Sequence, residues 1–237
     1  WFEPPPSSSL EHAEGLLTDL GAIEGGQISS VGTALARLPV HPRLAQVVVR
    51  GHQLGVLHEA AGAAALASER DPWAREENAD LLQRIEWLDS SHRTGAEPRA
   101  LAAVRRVRED LVRLGKRLPV PDGTRRAKDE GVLDALISGF PDRVGRRREK
   151  GGRSVLLASG NGVELGPGVD VGEWMVAVSL TAGTRGRAPL IRVAATIDAS
   201  RLDCPWKDEL IFDRNKEAVI QRRVRRWGAI VLAEEPT

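Results

Sequence analysis

The chain has 237 residues, 41% of them apolar, and a formal net charge of +1. Its one cysteine, Cys204, excludes a disulfide framework within the chain and fits a reducing, cytoplasmic setting. With no run of 18 apolar residues, the sequence excludes a helical membrane span. The near-neutral total hides a segregation. Residues 1–98 carry 7 basic and 14 acidic side chains, residues 99–153 carry 16 and 8, and residues 154–237 carry 11 of each. Positive charge gathered in the central stretch points either to an anionic partner or to a solvated Arg-rich helix.

The chain opens at Trp1 without an initiator Met or a signal segment, as expected of a piece of a longer protein. Pro4-Pro5-Pro6-Ser7-Ser8-Ser9 is a stiff lead-in whose serines are expected to cap a helix carrying Leu10, Ala13, Leu16, Leu17 and Leu20 at helical spacing, with Gly21 as its stop. Ala22–Ile28 reads as two very short strands around Gly25-Gly26. Ser29 or Ser30 then caps a second short helix through Leu35. In Gly32-Thr-Ala-Leu-Ala-Arg-Leu-Pro-Val-His-Pro-Arg-Leu-Ala45, Pro39 and Pro42 fix φ and remove donors, so the helix must stop near Leu38. A new apolar pattern starts at Leu44. Helix, hairpin, helix is the skeleton of a minimal winged-helix unit.

Residues 43–139 are helical in pattern, including an alanine-rich segment over Leu57–Leu66 and a long helix from Pro98 with Leu101, Val104, Val107, Leu111, Leu114 and Leu118. At Phe140 the period changes to 2. Strands are expected over Val155–Ala158, Val163–Leu165, Trp174–Leu180, Ile191–Ile197, Leu210–Phe212 and Ala218–Leu232, with Ser159-Gly160-Asn161-Gly162 as a hairpin turn. The fold class is α+β and multidomain: a winged-helix unit (1–42), a helical bundle (43–139), a small OB-like β-barrel (140–200) and a stranded tail (201–237).

This order of parts, with Leu20-Gly21-Ala22-Ile23 and Leu38-Pro39-Val40-His41-Pro42-Arg43-Leu44-Ala45, resembles the region after the motor domains of DEAH-type superfamily 2 RNA helicases. His41 before Pro42, Phe140-Pro141-Asp142-Arg143-Val144 and its Arg run, Ser159–Gly162 and Arg225-Arg226-Trp227-Gly228-Ala229-Ile230-Val231-Leu232 resemble the bacterial HrpB branch. The resemblance implies a winged helix, a "ratchet" bundle and an OB-fold, in a parent that couples ATP hydrolysis to 3′-to-5′ movement along single-stranded RNA. The sequence holds neither a G-x-x-x-x-G-K-[ST] phosphate loop nor an Asp-Glu-x-His box. ATP and magnesium are therefore expected in RecA-like motor domains outside this chain, and no catalytic or metal-binding residue is assigned within it.

The candidate nucleic-acid contacts are the Arg-rich elements. Six cations, Arg143, Arg146, Arg147, Arg148, Lys150 and Arg153, surround a glycine turn at the entry to the barrel, where forked guanidinium groups suit phosphate oxygens and OB-folds hold single strands. The plainer reading is a hairpin edge protected by charge. Arg105, Arg106 and Arg113 on the long helix either face a strand channel or serve solubility. Arg222, Arg223, Arg225 and Arg226 carry a weaker signal, and Trp227 is a stacking candidate. Arg147→Glu with Arg148→Glu is expected to weaken binding while leaving the barrel folded. The expected partners are single-stranded RNA or DNA and the chain's own motor domains, with no membrane. The alternatives are a winged-helix DNA-binding regulator, disfavoured by the acidic first 98 residues, and a protein-docking scaffold without nucleic-acid contact.

Overall fold

The computed structural model describes residues 4–73, 80–90, 95–120, 123–183, 188–213 and 217–236. Readings that fall on Trp1, His92 and Asp122, and on 184–187 of the Gly/Arg loop, lie outside them. The chain divides into two units, residues 1–141 and 142–237.

The first unit is helical apart from one hairpin. Helix α1 (Ser7–Asp19) follows Pro6, whose carbonyl accepts from the amides of Ser9 and Leu10, and no side chain caps it. The serines therefore form the first turn rather than the cap. No residue of α1 is buried, because its neighbour is a two-by-two hairpin too small to cover the expected stripe. Strands β1 (Ile23–Glu24) and β2 (Gln27–Ile28) join through Gly25 and Gly26, both at positive φ as a tight primed turn requires. In α2 (Ser30–Leu35) the Ser29 hydroxyl accepts from the Gly32 amide at 3.0 Å.

At the proline corner His41 is itself the cap of α3 (Pro42–Gln53). Its Nδ1 accepts from the Arg43 amide at 3.3 Å, and Pro42 takes the first helical position, where no amide is needed. Helix α4 (Leu57–Ser68) lies in the middle of the bundle against α3, α5 (Leu81–Asp89), α6 (Pro98–Gly115) and α7 (Lys128–Gly139). Ala60, Ala61, Ala63, Ala64 and Ala65 are buried there, and the small side chains let the helix axes approach closely. Glu97 caps α6 with both carboxylate oxygens, on the amides of Ala100 (2.8 Å) and Arg99 (3.0 Å), which hold its pKa below the ordinary value.

The buried face of α6 runs Ala100, Val104, Arg108, Leu111 and Gly115. Arg108, buried in that stripe, donates to Asp89 Oδ1 at 2.6 Å. Desolvation pushes the Asp89 carboxyl up, but the Arg108 hydrogen bond and charge, and then His58, outweigh it and hold the pKa low.

The second unit holds a closed barrel and a three-stranded sheet. The barrel strands are β3 (Val144–Arg147), β4 (Ser154–Leu157), β5 (Gly162–Leu165), β6 (Trp174–Leu180) and β7 (Leu190–Thr196), in the order β3-β4-β5-β7-β6. All neighbours are antiparallel except β5 and β7, which run parallel. Val155, Leu157, Val163, Leu165, Met175, Ala177, Ile191 and Ala194 fill the interior. Strands β8 (Lys207–Asp213), β9 (Ala218–Trp227) and β10 (Ile230–Pro236) form the sheet in the order β10-β9-β8. The single strand expected over Ala218–Leu232 is thus a hairpin that turns at Gly228, whose φ is +56°.

The glycine turn expected among these cations is the β3–β4 turn, where Gly151 has φ +74° and the Gly152 amide donates to Glu149 O, while Gly145 lies inside strand β3. A Cβ at Gly145 would come within 2.8 Å of Val155 Cγ1, so the glycine is there for close packing rather than flexibility.

Candidate nucleic-acid interface

Strand alternation divides the Arg run into two sets. Gly145 pairs with Leu157 and Met175, which belong to the barrel interior, and Arg147 shares that face two residues on. Arg146 lies on the outer face, opposite Leu156 on one side and Trp174 on the other. Arg148 follows on the outer side, and Lys150 sits in the turn before β4.

Three cations of the run donate to backbone carbonyls. The Arg147 guanidinium donates to the carbonyls of Gly172 (3.1 Å), Val171 (2.6 Å) and Gly152, tying the β3–β4 turn to the segment that enters β6. Arg143 donates to Val178 O at 3.3 Å, and Arg153 to Leu165 O. These three side chains bind backbone of their own unit. The expected behaviour of the Arg147 and Arg148 pair therefore separates: replacing Arg147 removes a staple of the barrel, whereas Arg148 is exposed and has no side-chain partner among the described residues.

Arg146, Arg148 and Lys150 share a cleft of about 580 Å³ whose other wall comes from the β9–β10 hairpin. Arg146 Nε donates to Glu173 Oε1 at 2.8 Å, and its guanidinium carbon stands 5.0 Å from the centre of the Trp174 ring. The hairpin wall is apolar, with Ala229, Ile230 and Val231, and Leu156 lies beside Arg146 on the outer face of the barrel. The hairpin tip is fixed to the barrel, since the Ala229 amide donates to Ala158 O at 2.8 Å and a Cβ at Gly228 would collide with that same carbonyl. Glu173 and the apolar wall were not legible in the Arg run. They emerge only once β3 is recognised as a strand with partners on either side.

The long helix divides similarly. Arg105 donates to the carbonyls of Leu88 (2.9 Å) and Ser90 (3.2 Å) and so holds the C-terminal end of α5. Arg113 pairs with Asp110 at 2.5 Å on the surface, and Arg106 is exposed. On β9 the cations are engaged. Arg226 forks onto Glu209 at 2.8 and 3.0 Å, Arg222 meets Glu234 at 2.7 Å, Arg225 donates to Cys204 O at 3.1 Å, and Arg223 lies 5.6 Å from the Trp206 ring centre. Trp227, half-buried, ends β9 opposite Ile230. Among the described residues no group of His, Cys, Asp and Glu is placed to hold a metal ion, and no helix is long and apolar enough to cross a membrane.

Residues 13–40, from α1 to the proline corner, match the family described as helicase associated domain (HA2), winged-helix. Over 215 residues the chain is 32% identical to the ATP-dependent RNA helicase HrpB of Escherichia coli (strain K12), a match covering 86% of this chain and 23% of that protein. The fold is similar to a crystal structure of the E. coli DExH-box NTPase HrpB, with TM-score 0.77 and 25% identity. It is also similar to a crystal structure of the E. coli DEAH/RHA helicase HrpB, with TM-score 0.76 and 27% identity. Each of those matches covers 100% of this chain and 28% of the solved one, so the chain spans about a quarter of the length of its relatives. Sequence and fold together place it with the DEAH helicases of the HrpB type, as part of their C-terminal region.

Proposed function

We propose that this chain is the accessory part of an ATP-dependent 3′-to-5′ RNA helicase and grips single-stranded nucleic acid beside RecA-like motor domains that supply ATP hydrolysis. The observation that carries the proposal is the pair of exposed cations, Arg148 and Lys150, at the β3–β4 turn of the barrel. The barrel has five strands ordered first-second-third-fifth-fourth, with the third and fifth parallel. We read that as an OB-type barrel, in which the first interstrand loop is a place where oligonucleotides bind. In this reading the helices of residues 43–139 are the ratchet-like bundle, with Arg106 among its exposed cations. Contacts of this kind are to the backbone, hence insensitive to sequence and sensitive to salt.

A protein-docking role finds support at a different place, the exposed Leu210, Phe212 and Val219 of the β8–β9 ribbon, and it is compatible with strand binding in the cleft. A DNA-reading winged helix finds less, because α2 is six residues long and acidic charge dominates the first 98 residues. The test is competition. A labelled oligo-U bound by the chain should be displaced by unlabelled single strand in preference to duplex DNA; preferential displacement by duplex would refute the proposal.

A further inference from the structure

We infer that the cleft between the barrel and the β9–β10 hairpin seats a nucleobase, with Arg146 as its stacking platform and the hairpin tip as its floor. The inference rests on the strand-binding reading above and assigns to the C-terminal hairpin a share in it.

Three features of the cleft point beyond phosphate binding. Its lining is mixed: Arg146, Arg148, Lys150 and Glu173 with Leu156 beside Arg146 on the barrel side, and Ala229 and Val231 on the hairpin side. A phosphate chain alone has no use for the apolar side, whereas a nucleotide offers an anionic backbone and a flat, weakly polar base. The volume, about 580 Å³, lies in the range of small-molecule sites.

Arg146 is also held differently from its neighbours. Its Nε is bound to Glu173 and its guanidinium rests over Trp174, yet the side chain remains 43% exposed. Glu173 neutralises its charge, which makes Arg146 a poor phosphate clamp. Its orientation is nevertheless set in advance, and a fixed guanidinium plane is a surface on which unpaired bases stack. Finally, the floor is built rather than loose. The Ala229 amide is anchored on Ala158 O, and Gly228 permits that approach. A base entering the cleft would meet a preformed slot and lose little freedom of the protein in binding. Arg148 and Lys150, free of partners among the described residues, then remain for the flanking phosphates.

The experiment compares two labelled 15-mers of equal phosphate count, oligo-U and a fully abasic ribose-phosphate strand, titrated with the intact chain by fluorescence anisotropy at several salt concentrations. Oligo-U should bind roughly 5-fold tighter or better, the scale of one stacked base. Arg146→Lys keeps the charge and removes the plane. It should bring oligo-U down to the abasic affinity while leaving the salt dependence unchanged. Leu156→Thr, which keeps a strand-forming residue on the outer face, should narrow the difference in the same way. Equal affinity of the native chain for both strands, or full retention of the difference in Arg146→Lys and Leu156→Thr, would overturn the inference while the strand-binding reading stands. Failure of both strands to bind at low salt would overturn that reading, and this inference with it.

Discussion

Replacing Arg147 by Met should destabilise the second unit far more than the same change at Arg148, one residue away. The guanidinium of Arg147 donates to three carbonyls, those of Gly172, Val171 and Gly152, from the inner side of β3. A hydrogen bond contributes about 1 kcal/mol net, and more when the donor is charged. Three bonds at a half-buried site, where water can partly replace them, amount to roughly 2–3 kcal/mol. For a domain of this size that is a fall in melting temperature on the order of 10 °C. Arg148 is exposed and touches no partner among the described residues, so Arg148→Met should stay within about 0.5 kcal/mol. Urea denaturation followed by tryptophan fluorescence, with Trp174 on the neighbouring strand, measures both. Equal effects of the two substitutions would show that strand alternation does not sort the Arg run as described.

Three further expectations use other parts of the chain. Asp89→Asn leaves the buried Arg108 guanidinium without its counter-charge and should cost about 1–2 kcal/mol, allowing for the partial exposure of Asp89. Because the folded-state pKa of Asp89 is depressed, this contribution is fully present above the ordinary aspartate value of 3.8 and disappears as pH falls below it. The stability difference between native chain and variant should therefore be flat from neutral pH to about pH 5 and shrink in stronger acid, as chemical denaturation across pH would report. Gly228→Ala forces an L side chain to positive φ and into the Ala158 carbonyl. Its cost should be at least about 1–2 kcal/mol, with faster hydrogen exchange at the Ala229 amide. On the long helix, Arg105→Ala should lower stability by about 1–2 kcal/mol by releasing two carbonyls at the end of α5, whereas Arg106→Ala should leave the melting temperature unchanged.

The parts of this fold most legible in the sequence are those written in residue types that constrain the backbone. Pro39 and Pro42 mark the corner, Gly25-Gly26 the first hairpin, and Trp174–Leu180 is the strand its β-branched and apolar residues predict. The strand β3 escapes notice because its sequence is Val-Gly-Arg-Arg. Its inner positions are a glycine, required by the crowded interior, and an arginine whose charge is absorbed by carbonyls far away in sequence. Neither resembles a buried strand residue, so the period of 2 is hidden. The same blindness makes the Arg run look like one basic patch. Partners decide which arginines are available, and those partners are brought in by β6 and by the β3–β4 turn. Helix α1 fails in the opposite sense, since its apolar spacing is sound but no sufficient neighbour covers it. The cleft's apolar lining draws on Leu156 and on Ala229 to Val231, some 70 residues apart in the chain, which no local pattern could join.

If the β3–β4 turn holds the backbone of a single strand, the salt dependence of oligo-U binding reports it. Each phosphate neutralised on a single strand contributes a slope of about 0.7 to the fall of log affinity with log salt. Native chain and an Arg148→Ala, Lys150→Ala variant should both be folded, and the variant should bind more weakly with a slope lower by about 1.4. An unchanged slope in the folded variant would contradict the account, because the strand would then be held somewhere other than the barrel.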